Sequence, residues 1–362
     1  MSILQTTTTV RTASPSVVSE HQNSVDELLT DLFSAYYRAR SNKRTTYSQM
    51  RFEQHLPENL FSLYEDIVMR RYRLSRSICF IVRDPVQREV FAASFRDRVV
   101  HHLLYKWLNP VFEKRFIEDS YSCREGKGTL YGVQRLRWHM ASCIAENPGC
   151  PVYVLKMDIH GYFMSIDRSK LYGKVIRYVE GAEIFRKDIM DYLLRLVIFN
   201  DPTKGCKIKG SLSDWNGLPT SKSLFKAKKG CGLPIGNLTS QLFSNVYLDA
   251  LDHYVVEQLG FLHYGRYVDD FYIVSAEKER MLRSIQKIKA FLKSELNLDL
   301  HKNKIYLQEV HKGVKFLGKW VFPERYVLTF KSSSRLKAHV FESYVEITDP
   351  YYRVSILKAC NY

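Results

Sequence analysis

Two adjacent carboxylates, Asp269 and Asp270, stand between the apolar runs 261–268 and 271–274. Like charges held this close repel each other, and a divalent cation between them removes that cost. Oxygen ligands suit Mg²⁺, which proteins hold through one or two carboxylates together with substrate phosphates. Taken alone, the pair fits a Mg²⁺ site and a solvated hairpin turn equally well.

A third carboxylate, Asp158, ends an apolar segment within the run VYVLKMDIHGYFMSID, residues 152–167. A strand-end aspartate beside an Asp-Asp hairpin can hold two metal ions on neighbouring strands. Two such ions clamp the attacking and leaving oxygens of an in-line phosphoryl displacement. Asp167 is the alternative carboxylate of this run, but its context favours the N-cap of a helix.

The charge of the chain points to a polyanionic partner. Its 362 residues carry a formal net charge of +16 and an isoelectric point near 9.4. Nucleic acid is the common partner of so basic a protein, although a basic composition can also serve solubility alone. The apolar fraction of 45% is enough for a folded core.

Cysteine usage and hydropathy indicate an intracellular protein without a membrane span. The seven cysteines include no CxxC pair and no histidines spaced for zinc, so we expect reduced thiols. No apolar run approaches the ~18 residues that a membrane span needs.

Apolar periodicity predicts the elements that position these carboxylates. Residues 1–22 are expected to be a disordered tail, and a capping box at Ser24 and Glu27 begins the first helix. Later helices are predicted over 57–70, 87–108, about 133–145, 238–259 and 278–295. Asn109-Pro110 is expected to end the helix 87–108. Strands are predicted over 78–82, 152–159, 305–308, 314–321 and 326–330, with a hairpin around Asp269.

This order of elements predicts an α+β fold in which helices back a sheet. Residues 201–230 are polar and lysine-rich, and we expect them to form a surface loop or small hairpin. The segment 119–132, DSYSCREGKGTLYG, is a basic, glycine-rich loop.

Several motifs together resemble those of reverse transcriptases with a right-hand polymerase fold, over roughly residues 75–325. They follow the order of that family: MDIHGYF (157–163), GLPIGNLTSQ (232–241), YVDD (267–270), LNLDLHKNK (296–304) and VKFLGKW (314–320). The resemblance implies fingers over 23–150, a palm over 151–325 that contains the insertion 201–230, and a short thumb over 326–362. It also implies an antiparallel palm sheet backed by helices.

The resemblance assigns the catalytic residues. Asp158, Asp269 and Asp270 would bind two Mg²⁺ ions, with Mn²⁺ as a possible replacement cofactor. Lys304 matches a family lysine that could protonate departing pyrophosphate. Phe163 matches the aromatic residue that excludes a 2′-hydroxyl, which implies deoxynucleotide substrates; ordinary core packing is the alternative.

Further residues match positions that bind the incoming nucleotide in similar enzymes. Arg124 and Lys127 of the glycine-rich loop would neutralise a triphosphate, unless the loop is only a solvated turn. Ile235, Gly236 and Gln241 belong to the motif that positions template and nucleotide. Asn237 of the same motif could equally be a helix N-cap.

Within the family, the chain is most similar to the reverse transcriptases of diversity-generating retroelements. FRDRVVHH (95–102), DSYSCREGKGT (119–129) and LPIGNLTSQ (233–241) carry this likeness, and Ile235 replaces the glutamine of the commoner family form. Losing that polar contact should weaken discrimination between correct and incorrect pairs. The likeness implies an RNA template, a primer, dNTPs, error-prone cDNA synthesis for mutagenic retrohoming, and an oligomeric small basic accessory protein as partner.

Two other interpretations stay open at this point. One is an antiphage-defence reverse transcriptase of the retron or abortive-infection type, several of which share this compact length. The other is a catalytically inactive nucleic-acid-binding scaffold, against which the three intact aspartates argue. In each case we expect a cytoplasmic protein encoded by a bacterium or phage.

Overall fold

A computed structural model describes residues 15–41, 46–84, 86–184 and 186–328, together with the short strand Tyr344–Val345. The described α-helices are α1 Pro15–Arg40, α2 Tyr47–Glu53, α3 Leu56–Val68, α4 Phe95–Glu113, α5 Thr129–Glu146, α6 Tyr162–Ser165, α7 Arg168–Val179, α8 Lys187–Phe199, α9 Leu238–His253 and α10 Lys278–Leu296. A π-helical turn, Tyr254–Gln258, extends α9. No described helix combines the length and apolar character needed to cross a membrane.

The strands form three sheets. They are β1 Ile78–Val82, β2 Arg88–Ala92, β3 Tyr153–Asp158, β4 Lys207–Ile208, β5 Tyr264–Tyr267, β6 Asp270–Ser275, β7 Tyr306–Glu309, β8 Val314–Phe316, β9 Lys319–Val321, β10 Tyr326–Leu328 and β11 Tyr344–Val345. Their spatial orders are β2-β1-β4, β5-β6-β3-β7 and β11-β10-β9-β8.

The sheet β5-β6-β3-β7 is fully antiparallel and carries the predicted catalytic strands. Alternate side chains of β3 point to opposite faces, so Leu155 and Met157 enter the main core while Val154 enters a second core beneath α5. Helix α9 is buried on nearly every side against this main core. The α+β arrangement with helices behind an antiparallel sheet is therefore confirmed.

The predicted helix 87–108 is wrong at both ends. Residues Arg88–Ala92 form β2, which pairs antiparallel with β1, and α4 begins only after its N-cap Ser94. Apolar spacing in this stretch fits both periods, and pairing with β1 decides for a strand. Pro110 does not end α4, which continues to Glu113. Proline has no backbone N–H to donate to the preceding turn. The fully buried side chain of Phe112, two residues later, offsets that loss by packing in the core.

The first helix begins at Pro15 rather than at Ser24, so part of the predicted tail 1–22 is helical. Proline is favoured at the first helical position because its missing N–H would have no partner there. Residues 1–14, and most of the predicted thumb 326–362, lie outside the described residues. The six described cysteines are free thiols, as expected, and Cys360 lies outside the described residues.

The insertion 201–230 is not a hairpin. Its short strand β4 pairs parallel with β1, with Ile78 opposite Lys207, and three 3-10 turns follow. Its fixed position comes from Glu89 of β2, whose buried carboxylate accepts hydrogen bonds from Trp215 Nε1 (2.7 Å), Ser223 Oγ (2.9 Å) and Leu224 N (2.6 Å).

Candidate active site

The Asp-Asp pair lies where the β5–β6 hairpin turns, with Asp269 in the turn and Asp270 as the first residue of β6. Tyr267 pairs with Asp270, which leaves Val268 and Asp269 as the turn residues. Val268 adopts a left-handed backbone conformation with φ of 57°. This conformation is unfavourable for a β-branched residue by roughly 1–3 kcal/mol, and such strain concentrates at functional sites.

Strand pairing brings the third aspartate to this turn. Asp158 at the end of β3 lies directly opposite Asp270, and Ile159 N donates to the carbonyl of Asp269 at 3.2 Å. The structure therefore brings together all three aspartates that the sequence nominated. The predicted strand-end position of Asp158 is the reason, because antiparallel register places the end of β3 beside the start of β6.

Two lysines neutralise part of this negative charge. Lys304 Nζ donates to Asp158 Oδ2 at 2.9 Å, and Lys156 Nζ lies 3.0 Å from Asp270 Oδ2. Lys304, which the sequence nominated, is about half exposed and reaches the cluster from the loop before β7. Lys156 was missed. Its position two residues before Asp158 could have revealed it, since residues i and i+2 share one face of a strand.

The carboxylates remain incompletely compensated. Burial and the neighbouring charge of Asp158 raise the pKa of Asp269 to about 6. Burial also raises the pKa of Asp270 to about 6, although the ammonium of Lys156 opposes the shift. In addition, Oδ1 of Asp270 is buried without a hydrogen-bond partner. An unpaired buried acceptor of this kind is costly and calls for a ligand.

A fully buried ion pair holds the hairpin from behind. Arg266 of β5 donates from Nε and Nη2 to the two carboxylate oxygens of Asp252 on α9, at 2.7 and 2.6 Å. Tyr264 Oη donates to the same carboxylate, and Arg266 Nη1 donates to the carbonyl of Val268 at 3.0 Å. The strained turn is thus tied to α9. Sequence reasoning missed this pair, whose members lie 14 positions apart on different elements.

Phe163 and Ile235 pack against the same small core. Leu233 N donates to the carbonyl of Phe163 at 2.8 Å, and Phe91 N donates to the carbonyl of Ile235 at 2.8 Å. Both side chains are half-buried and pack against a small core that includes Met164 and Leu224. The motif 232–241, which is predicted to position the nucleotide, is therefore hydrogen-bonded both to the chain after Asp158 and to β2.

Gly236 permits this close approach. Its φ is 118°, and a Cβ there would lie 2.8 Å from Val90 Cγ1 and 3.1 Å from the carbonyl oxygen of Phe91. Asn237 occupies the N-cap position of α9, yet its side chain makes no capping hydrogen bond. Gln241 is exposed in the first turns of that helix.

Arg124 and Lys127 are held by their own loop. Arg124 is buried and donates to Glu113 Oε2 (2.9 Å) and to the carbonyls of Ile117 (2.6 Å) and Ser120 (2.9 Å). Lys127 Nζ donates to the carbonyl of Glu118 at 2.5 Å, and burial lowers its pKa. Among the described residues, no hydrogen bond or ion pair joins either cation to the aspartates, so both stay predicted nucleotide ligands.

Asp167 is a helix cap, as its context indicated. Its carboxylate accepts from Ser169 N at 2.9 Å and from Lys170 N at 3.0 Å at the start of α7. Within the described ranges, no group of three or more His, Cys, Asp or Glu side chains is arranged to hold a metal ion.

Comparison with known proteins extends the geometric picture. The chain is 22% identical over 257 residues to Protein YkfC of Escherichia coli (strain K12), a match that covers 62% of this chain and 60% of that protein. Among solved structures, apo telomerase of Candida tropicalis aligns with a TM-score of 0.48 at 10% identity, covering 68% of this chain and 46% of that one.

A telomerase from Candida albicans in complex with a fragment of telomeric RNA aligns with a TM-score of 0.46 at 12% identity, over 74% of this chain and 50% of that one. These structural likenesses are too distant to carry a functional conclusion. The profile of the family described as "Reverse transcriptase (RNA-dependent DNA polymerase)" matches residues 87–321. Because that match covers more than half of the chain, the protein belongs to the reverse transcriptase family.

Proposed function

We propose that the protein is an RNA-directed DNA polymerase that copies an RNA template into cDNA by nucleotidyl transfer at Asp158, Asp269 and Asp270. One observation carries the proposal: three carboxylates meet at a strained hairpin turn, two of them with a raised pKa and one with an orphaned oxygen. Such an arrangement is costly without a cation.

The proposed cofactor is a pair of Mg²⁺ ions, with Mn²⁺ as a substitute, because the site offers carboxylate oxygens, the ligands that these ions prefer. Asp158, Asp269 and Asp270 would hold them, and the orphaned Oδ1 of Asp270 is a ready ligand atom. When bound, divalent ions stabilise the charge that develops on the attacking and leaving oxygens of phosphoryl transfer. Lys156 and Lys304 hold the carboxylates in place before a cation arrives.

The remaining nominated residues would then act on the nucleotide. Lys304, whose Nζ contacts Asp158, would donate a proton to departing pyrophosphate. Phe163 follows the catalytic strand, where its ring would exclude a 2′-hydroxyl and select deoxynucleotides. Gly236 and Gln241 would position template and nucleotide, and the hydrogen bond from Leu233 N to the Phe163 carbonyl joins their motif to the chain after Asp158. Arg124 and Lys127 would order the loop that receives the triphosphate.

We further propose that this activity is error-prone and belongs to a diversity-generating retroelement, with a small basic accessory protein as partner. Ile235 supports this subtype. Its apolar side chain packs against a core beside Phe163, where the commoner glutamine would offer a hydrogen bond. The division into fingers, palm and short thumb is likewise the arrangement that the family implies for residues 23–150, 151–325 and 326–362.

Primer extension tests the proposal. The substrates are an RNA template, a DNA primer, dNTPs and Mg²⁺, with and without the co-expressed small basic protein, and the product is sequenced. cDNA with errors concentrated at template adenines is expected. Accurate cDNA would reject the diversity-generating subtype in favour of a defence enzyme, and a protein inert in both conditions would contradict the polymerase itself.

Ile235→Gln tests whether Ile235 lowers the fidelity of copying, because it restores the glutamine of the commoner family form. Restoring a polar contact near the pairing base should lower the error frequency at template adenines while leaving the amount of product similar. Sequencing of cDNA from the two proteins measures this. An unchanged error spectrum would reject the role of Ile235.

A further inference from the structure

Residues 204–229, which we call the lysine segment, carry an exposed positive charge without internal compensation. Its seven lysines are all exposed: Lys204, Lys207, Lys209, Lys222, Lys226, Lys228 and Lys229. Within the described residues none of them forms an ion pair, and the one acidic residue of the segment, Asp214, pairs with Arg83 at 2.7 Å. The lysines at the aspartate cluster, by contrast, are paired.

The lysine segment is a fixed surface rather than a solvated loop. Glu89 binds it through three hydrogen bonds, and Gln87 Nε2 donates to the carbonyls of Asp214 (2.8 Å) and Asn216 (3.2 Å). Leu224 is buried between these anchors. Lysines on an ordered backbone lose less conformational entropy when they meet a ligand than lysines on a flexible one.

The residues that flank its lysine-dense part, Ser221 and Gly230, contact the stretch of chain between Gly161 and Arg168. A Cβ at Gly161 would lie 3.0 Å from the carbonyl oxygen of Ser221. Farther along, Arg168 N donates to the carbonyl of Gly230 at 3.0 Å. The segment that carries Lys222, Lys226 and Lys228 is therefore packed against α6, which carries Phe163, and against the start of α7, both within ten residues of Asp158 in the chain.

We propose that the lysine segment binds the phosphates of the single-stranded template as it approaches the active site. Uncompensated cations along a fixed surface attract a polyanionic backbone without regard to its sequence. Phe225, 42% exposed and in tilted contact with Phe91, offers an aromatic face on which a base can stack. This inference rests on the proposed polymerase function, because it assigns the strand by its place beside that site.

Binding measurements without dNTPs test the inference. The first substrate is a DNA primer on an RNA template with a long single-stranded 5′ extension, and the second is the same duplex with a blunt end. The variant is Lys222→Gln, Lys226→Gln and Lys228→Gln combined. Its charge-matched control combines Arg283→Gln, Lys287→Gln and Lys289→Gln on the exposed face of α10.

The wild-type protein and the α10 control should bind the extended substrate more tightly than the blunt one. The lysine-segment variant should lose that preference. Its plot of log affinity against log salt for the extended substrate should be shallower by about 2, since each lost phosphate contact on a single strand contributes ~0.7. Binding to the blunt duplex should not change.

Three results would overturn the inference: equal wild-type affinity for both substrates, a variant that keeps the preference, or a variant that weakens both substrates alike. Because the assay needs no catalysis, its outcome is independent of whether cDNA is made. A protein that makes no cDNA yet shows the predicted preference would reject the polymerase proposal and keep the binding surface.

Discussion

Two groups of buried charge share the β5–β6 hairpin, and they are satisfied to very different degrees. In the first, Arg266 and Asp252 are fully buried and joined by two short hydrogen bonds, with Tyr264 as a further donor. In the second, Asp158, Asp269 and Asp270 are partly accessible, and one buried oxygen has no partner. We call the Arg266–Asp252 pair the closed group, because its charges are fully paired, and the three aspartates the open group. Only a few residues of β5 and its turn separate Arg266 from Asp269.

The pKa values express the same difference. Burial opposes the charge of Arg266, but the carboxylate of Asp252 raises its pKa above the ordinary value. At Asp269 and Asp270 burial raises the carboxyl pKa values to about 6, so ionisation is disfavoured. The Arg266–Asp252 pair fixes the hairpin. The three aspartates repel one another, and a bound cation would lower that repulsion. The buried Arg266–Asp252 pair can thus hold a strained turn in place while the carboxylates at that turn stay open to a cation.

The largest effect is expected from breaking the closed pair. Arg266→Gln leaves the carboxylate of Asp252 buried without its cation, and removing one partner of a buried pair costs about 3–5 kcal/mol. We expect the free energy of unfolding to fall by that amount, as measured by urea denaturation. The variant should also lose activity, because the Val268 carbonyl loses its donor.

A double variant separates loss of charge from loss of packing. Arg266→Met combined with Asp252→Leu removes both charges, and such replacements are often neutral for stability. It should recover much of the stability of Arg266→Gln. A double variant as unstable as the single one would contradict the view that the unpaired carboxylate is the source of the loss.

A smaller effect of opposite sign is expected at the open group. A raised pKa means that folded Asp269 keeps a proton between pH 4 and 6 that the unfolded chain has lost, so this group's contribution to stability falls as pH rises. Asp269→Asn should therefore increase the free energy of unfolding by up to about 3 kcal/mol at pH 8 without divalent ions, since each unit of pKa shift corresponds to ~1.4 kcal/mol.

The same variant should lose that advantage as the pH falls from 6 to below about 4, where the wild-type carboxyl becomes protonated in both states. Denaturation at a series of pH values measures the difference. A stability gain that is independent of pH, or a loss of stability at pH 8, would contradict the interpretation of an uncompensated carboxylate.

The smallest effect is the response to Mg²⁺. A cation that binds only the folded protein stabilises it by mass action, by ~2.7 kcal/mol at a concentration 100 times its dissociation constant. The melting temperature of the wild type should rise with Mg²⁺, and that of Asp269→Asn should not. An equal rise in both would place the responsive cation elsewhere.

Much of this comparison could be predicted from the sequence, because it depends on local pattern. The apolar runs around Asp269 and Asp270 predicted a hairpin, and the strand end at Asp158 predicted its neighbour. Antiparallel register then placed the three together. Asp167 was separated correctly as a cap, since an aspartate before a helical period satisfies free backbone N–H groups.

The closed group was not predictable in the same way. Nothing in the apolar stretch around Arg266 shows that its partner is Asp252 on α9, since that contact depends on how the helix crosses the sheet. The strand β2 was mistaken for a helix because Val90 and Phe91 fit either period, and only pairing with β1 decides. Arg124 looked like a free cation, and the structure buries it against Glu113.

The most direct test of the central claim compares Asp269→Asn with Asp167→Asn in Mg²⁺-dependent primer extension on an RNA template. Both variants remove one carboxylate charge without changing shape, and asparagine remains a good N-cap at position 167. We predict that Asp269→Asn abolishes cDNA synthesis, a loss of at least ~1,000-fold, while it still folds and binds RNA, and that Asp167→Asn retains activity. Substantial synthesis by Asp269→Asn, or equal loss in both variants, would contradict the assignment of the active site.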